Sequence, residues 1–335
     1  MNAKLIPALL LVGFGAFCAL AAGGLELYEY ARQPARTHGE ARVVTIARGQ
    51  GMGRIALDLA ADGLIRSPLK FRLLARLRGD DKRLQAGEYL LSPAMAPMAM
   101  LEDLVQGRVR LHRVTIPEGC NLRQIGALLE GAGLTGAADF AAAARDRELM
   151  ARAGIAADSF EGYLFPDTYR FARDAAAADI ILAMKARFDR VLNPAWRVRA
   201  EQMGWSLHQV VTLASIIEKE TGDPAERPLI SGVFHHRLRR GMRLETDPTV
   251  IYGIADFDGN LTRRHLAAET PYNTYRIFGL PPGPIASPGA AAIEAALFPA
   301  ATAHLYFVSR NDGTHHFSPT YAEHLEAVRR YQGRR

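Results

Sequence analysis

Val44-Thr45-Ile46-Ala47-Arg48-Gly49, with Ile55 and Leu59 behind it, returns 70 positions further on as Val114-Thr115-Ile116-Pro117-Glu118-Gly119, with Ile125 and Leu129. In each copy a short β-branched run is broken by a glycine turn and followed by apolar residues at helical spacing, so each reads as strand, turn and helix. The pair marks a duplication or two related sheet entries; two copies so far apart cannot build a solenoid. Between them Leu84-Gln85-Ala86-Gly87-Glu88-Tyr89-Leu90-Leu91 reads as a strand, and Met98 to Val105 as a short helix closing near Gly107. A small α+β module is therefore expected over residues 41–110. Beyond it, residues 111–332 open with a strand at Arg113 to Ile116 and turn helix-rich, notably at Ala183 to Val191 and Leu207 to Glu220. Gly279-Leu280-Pro281-Pro282-Gly283-Pro284 cannot continue a helix or sit in a central strand and must be a turn or loop. A helix at Ala290 to Leu297, a strand at Leu305 to Ser309, a turn at Asn311-Asp312-Gly313 and a helix from Thr320 to Tyr331 complete the region. The fold class expected is α+β throughout.

The 335 residues leave room for two ordinary domains, and 49% hydrophobic against 23% charged residues excludes a disordered chain. The excess of 41 Lys and Arg over 35 Asp and Glu is spread along the chain, so a nucleic-acid partner is not expected. Two cysteines, Cys18 and Cys120, exclude a disulfide framework and a cysteine-built zinc site, and no phosphate-binding Gly-rich loop is present. His235-His236 and His315-His316 are adjacent pairs, unlike the i,i+4 spacing that converges on one ion, so no metal or other cofactor is expected.

Leu5 to Leu25 runs without a charge directly after Lys4, and a helix of that length rises about 30 Å, the thickness of a bilayer's hydrocarbon core. Residues 1–25 read as a transmembrane anchor, with a cleaved signal ending at Ala19-Leu20-Ala21 as the alternative. Either reading sends the rest of the chain across a membrane. Residues 26–40, with Tyr28, Tyr30, Pro34 and alternating charges, read as a linker.

The stretch richest in chemistry is Val210-Val211-Thr212-Leu213-Ala214-Ser215-Ile216-Ile217-Glu218-Lys219-Glu220-Thr221-Gly222. It is apolar on nearly every face before two glutamates appear, which suits a buried helix whose last turn opens on a cleft. A carboxyl there would lose water, rise in pKa and serve as a general acid, although the pattern alone favours a solvated helix end. Arg243-Leu244-Glu245-Thr246-Asp247-Pro248 and Thr270-Pro271-Tyr272-Asn273-Thr274-Tyr275 place carboxylates, an amide and aromatic rings on loops. That mixture suits a sugar's apolar faces and hydroxyl edges, and equally suits ordinary turns and core tyrosines.

Taken in order along the chain, several blocks resemble the signature of the endolytic murein transglycosylases, the YceG-like family. They are Glu161-Gly162-Tyr163-Leu164-Phe165-Pro166-Asp167-Thr168-Tyr169, Ala214 to Thr221, Gly241 to Gly253, and Pro271 to Tyr275 leading into Gly279 to Ile285. Tyr306-Phe307-Val308, His315-His316-Phe317 and Tyr321-Ala322-Glu323-His324 also fit. The resemblance covers nearly the whole chain. It implies a bacterial inner-membrane protein with one anchor, a LysM-like module at 41–110 and a catalytic domain at 111–332 on the extracytoplasmic side. It further implies that Glu218 is the acid/base and that Glu161, Asp247, Tyr252, Asn273 and Tyr275 border the glycan. Glu245 stands beside them where the family usually carries Gln. Peptidoglycan strands are the implied substrate and peptidoglycan synthases the implied partners.

The activity so implied needs one catalytic carboxyl. Glu218 would protonate the oxygen between MurNAc and GlcNAc, and the sugar's own C6 hydroxyl would close a 1,6-anhydro ring. Two rivals remain at this point. A hydrolytic muramidase would recruit Glu245 or Asp247 as a second carboxylate, and a membrane-anchored scaffold would bind peptidoglycan without cutting it.

Overall fold

The computed structural model describes residues 5–173 and 175–333. The chain forms two compact units, one reaching to His112 and taking in Ala172 and Arg173, the other built from Arg113 to Phe171 and from Ala175 onward. Each has its own apolar core.

The first unit contains helix α1 (Leu5–Arg32), strand β1 (Arg42–Ile46), helices α2 (Met52–Ala61) and α3 (Pro68–Arg78), strand β2 (Gly87–Leu91) and helix α4 (Pro97–Gln106). β1 and β2 pair antiparallel with Val44 opposite Tyr89, so alternate residues Val44, Ile46, Tyr89 and Leu91 point into the core formed by the helices. Among the described residues no helix is long and apolar enough to cross a membrane; Lys4 lies outside them. The linker expected at 26–40 is helical as far as Arg32. Tyr30 and Ala31 explain this: both are buried against the unit, and the Tyr30 hydroxyl donates to the Ser67 carbonyl at 2.9 Å.

The sequence repeat is a structural repeat. α2 begins at Met52 and its counterpart α5 (Leu122–Gly131) begins 70 residues later, in the second unit; β3 (Leu111–Thr115), the counterpart of β1, begins 69 residues after it and enters the second unit at Arg113. Gly49 and Gly119 turn the chain with φ of 77° and 74°, values open to glycine at little cost. Ile55, Leu59, Ile125 and Leu129 are all fully buried.

The second unit continues with α6 (Ala137–Ala143), α7 (Arg147–Arg152), β4 (Thr168–Ala172), which pairs with β3, and α8 (Ala177–Val191). It follows with α9 (Pro194–Gln202), α10 (Leu207–Glu220), α11 (Arg227–Arg239), α12 (Asp247–Tyr252), α13 (Arg263–Ala267) and α14 (Ala290–Leu297). The hairpin β5 (Tyr306–Ser309) and β6 (His315–Ser318) and helix α15 (Tyr321–Gln332) close it.

α10 is the axis of this unit. Ser206 caps it by accepting from the Gln209 amide, and the Gln209 side chain accepts from Ser206 in return, so two otherwise orphaned amides are satisfied. Eight successive residues, Val210 to Ile217, are buried because α9, α11, α12 and α14 pack around it. An all-round apolar helix has no solvent face to offer, and this one finds packing on every side. Thr221 turns extended and ends it.

Candidate active site

The last turn of α10 carries Glu218, Lys219 and Glu220. Residues two apart on a helix diverge by about 200°, so the two glutamates serve opposite sides. Glu218 is almost fully covered, with 6% of its side chain exposed. Its Oε1 accepts from Arg227 Nη2 at 3.0 Å and its Oε2 accepts from the Gly289 amide at 2.9 Å. Arg227 opens α11 and Gly289 caps α14, so three helix ends converge on one carboxyl group. Glu118, from the second repeat copy, brings an oxygen to 3.9 Å from the same Arg227 nitrogen.

Two loops complete this side. Ser215, buried one turn back on α10, accepts from the Ile285 amide at 3.0 Å and pins the proline-rich turn against the helix. His208 Nε2 lies 2.7 Å from the Pro282 carbonyl, and its Nδ1 lies 2.9 Å from the Tyr163 hydroxyl. Gly162 sits between these loops with φ of 80°, and a Cβ there would lie 2.4 Å from Pro284. The Gly119 amide donates to the Ser287 carbonyl at 2.9 Å and the Ser287 amide to the Cys120 carbonyl at 2.8 Å, which ties the repeat turn to the same wall.

Glu220 faces the other way. Its carboxylate accepts from the Thr246 hydroxyl. Burial pushes its pKa up to about 7, with the charge of Asp247 adding to the shift. A cavity of about 370 Å³ opens here, lined among others by Glu220, Arg237, Glu245, Asp247, Tyr275 and Tyr306. Glu245 holds a left-handed φ of 53° and pairs with Arg237 at 3.0 Å. The Tyr275 hydroxyl donates to Asp247 at 2.7 Å.

The residues singled out from sequence therefore divide. Glu218 stands alone among them on the Arg227 side. Glu245, Asp247 and Tyr275 gather at the cavity. Glu161 is 5% exposed; both its oxygens lie 3.2 Å from the Leu122 amide at the start of α5, and the Tyr252 hydroxyl donates to it at 3.1 Å. Loss of water raises the Glu161 pKa to about 7. Asn273 is fully buried: its amide donates to the Leu266 and Ala268 carbonyls, and its oxygen accepts from the Tyr275 amide, so its contribution is the shape of the loop that carries Tyr275. Among the described residues no cluster of three or more His, Cys, Asp or Glu could hold a metal ion. His235 stacks on Trp205 and bonds the Ala296 carbonyl, while His315 pairs with Glu226 at 2.6 Å.

The profile of the YceG-like family matches residues 44–330. The chain belongs to the YceG-like family. It is 32% identical over 304 residues to a Bacillus subtilis protein named endolytic murein transglycosylase, covering 86% of this chain and 84% of that one. It is 30% identical over 335 residues to a Streptococcus pneumoniae protein of the same name, covering 89% of this chain and 60% of the other. The crystal structure of a YceG-like protein from Listeria monocytogenes superposes with a TM-score of 0.61 at 32% identity, covering 87% of this chain and all of that one.

Two residues grouped with Glu218 in the structure escaped the motif reading. Arg227 follows a short break after α10, in a stretch with no apolar period to mark a helix. Glu118 carried a visible signal: where the first repeat copy has Arg48, the second has Glu118. A charge reversed at an otherwise matched position marks a place where the two copies do different work.

Proposed function

We propose that this chain is an endolytic peptidoglycan lytic transglycosylase in which Glu218 is the acid/base, anchored in the inner membrane by its N-terminal helix with the rest of the chain extracytoplasmic. The observation that carries the assignment is the seat of Glu218: one carboxyl, nearly dry, at the end of a buried helix, with its two oxygens held by Arg227 and the Gly289 amide. Relatives named endolytic murein transglycosylase at 30–32% identity support the substrate and the reaction.

The chemistry follows from what one carboxyl can do. Glu218 gives its proton to the glycosidic oxygen between MurNAc and GlcNAc as the C1–O bond breaks. The C6 hydroxyl of the MurNAc bonds to C1, and its proton goes to Glu218, which is thereby restored. No water enters, and the product ends in a 1,6-anhydro ring. An internal nucleophile can bring an effective molarity of roughly 10⁵ M or more, which stands in for the second carboxylate of ordinary glycosidases. Glu245 and Asp247, the carboxylates a hydrolase would have to recruit, are turned to the Glu220 side and tied to Arg237 and Tyr275. Their cavity, with Tyr275 and Tyr306 beside the carboxylates, opens on the Glu220 side of α10, away from Glu218.

Glu218→Gln keeps the shape but has one acceptor oxygen, so it retains the Arg227 or the Gly289 contact and not both, and it has no proton to give. Its rate of glycan cleavage is expected to fall by at least about 10²–10⁴-fold in a protein that still folds. Near-normal cleavage by a folded Glu218→Gln protein would end the assignment.

A further inference from the structure

Glu118 is half exposed at the mouth of the Glu218 seat, and its place there is built from three sides. Arg227 Nη2, at 3.0 Å from Glu218, is only 3.9 Å from Glu118. Gly289, whose amide holds the second Glu218 oxygen, has its Cα directly against Glu118: a Cβ at that position would lie 1.9 Å from Glu118 Oε1. The Arg227 side chain is buried, and its Nε has no hydrogen-bond partner in the structure. The guanidinium is therefore fastened near one corner, and a small rotation takes it from one carboxylate to the other without breaking a bond at Nε.

This arrangement meets a requirement of the reaction. A carboxyl oxygen has two lone pairs, so Glu218 can take a proton with both contacts in place, but while Arg227 sits on Oε1 that proton would have to share the oxygen with a cationic donor. We propose that Glu118 is a positioning residue of this site, which draws Arg227 away from Glu218 and so frees Glu218 to hold the proton it gives to the glycosidic oxygen. When the C6 hydroxyl returns its proton, the same exchange resets the pair. No atom beyond those of the reaction already described is consumed, and the inference rests on that reading of Glu218.

A second carboxylate so near the acid invites comparison with a two-carboxylate hydrolase. There the sugar ring lies between the two groups. Glu118 and Glu218 instead meet at one nitrogen of one arginine. Lys219 also faces the seat, its Nζ donating to the Gly119 carbonyl at 3.3 Å with Cys120 nearby, and the N-terminus of α14 contributes the Gly289 amide. Burial and the neighbouring Glu218 charge raise the Glu118 pKa, against the opposing pull of Arg227.

The test is the pH dependence of glycan cleavage by the full chain, its Glu118→Gln variant and its Gly289→Ala variant, each checked for an unchanged unfolding midpoint. Without Glu118 as a competitor, Arg227 stays on Glu218, so the alkaline limb of the Glu118→Gln profile is expected to move down by about one pH unit or more. Activity above neutral pH then falls at least tenfold while acid activity is better retained. Gly289→Ala pushes the flexible Glu118 carboxyl aside while leaving its charge in the chain, and its limb is expected to move in the same direction. A Glu118→Gln profile that overlays the parent, or that drops evenly with its limbs in place, overturns the inference while leaving Glu218 as the acid. An inactive parent chain would refute the reading of Glu218 itself, and this inference with it.

Discussion

Glu161 is held out of water by α5 and Tyr252, and that placement has a sign that can be measured. Its folded pKa, about 7, lies above the ordinary carboxyl value, so between roughly pH 4.5 and 7 the folded chain binds a proton that the unfolded chain has released. The stability this proton contributes is full at the acid end of that window and is lost as pH rises through 7. Glu161→Gln cannot titrate. The stability of the parent relative to Glu161→Gln is therefore expected to fall between pH 5 and pH 8, read by urea unfolding at each pH; a difference that stays flat or rises would show that Glu161 is not buried as described. At this scale Glu218, the first glutamate after the apolar run, was named by the family resemblance alone; the pattern favoured a solvated helix end, whereas the structure covers that carboxyl. The same reading grouped Glu161 and Asn273 with the glycan-facing residues, because a block of residues shows membership of a site without showing which side chains face in. Arg227 was not legible, since pairing across a break in the chain leaves no spacing to read.

The elements were clearest where one physical signal dominated. α10 and α14 end where the periodicity placed them, at Leu207–Glu220 and Ala290–Leu297, because their apolar runs are continuous and their flanks are cap or turn residues. α11 was hidden: His235 and Arg237 lie on its buried side, and their polarity erases the apolar stripe. What compensates is specific bonding, with Arg237 donating to the Leu305 and Leu244 carbonyls as well as to Glu245. The contact between the Gly162 turn and the proline-rich loop gives an element-scale prediction. Alanine at 162 would have to hold a left-handed φ, costing about 1–2 kcal/mol, and would press its Cβ into Pro284 and Val211, costing about 1–3 kcal/mol more. Gly162→Ala is expected to lower the unfolding free energy by about 2–5 kcal/mol and to reduce cleavage, since the displaced loop runs on to Gly289. A variant as stable as the parent would mean that these loops do not brace one another.

Across the whole molecule, the 70-residue repeat places one strand, turn and helix in each unit, yet only the second copy joins the Glu218 seat. Separate cores predict separable unfolding. Leu59 is fully buried in the first core, and Leu59→Ala is expected to cost that unit about 2–5 kcal/mol. In calorimetry of the full chain, the transition of the first unit should move down and that of the second should stay; a single transition that shifts as one would show the units to be one cooperative body. The overall α+β class was legible because strand and helix periods alternate along the chain. The reach of α1 to Arg32 was not, because the apolar face that buries Tyr30 and Ala31 is only a turn long.

The most direct measurement is the chemistry of the new chain ends. Peptidoglycan would be digested with the full chain in its membrane or detergent environment, alongside Glu218→Gln, and the products read by mass spectrometry. The account predicts glycan fragments ending in 1,6-anhydroMurNAc, lighter by one water than a reducing end, from the parent chain and not from Glu218→Gln. Fragments with hydrated reducing ends, or anhydro ends made equally well by Glu218→Gln, would contradict it.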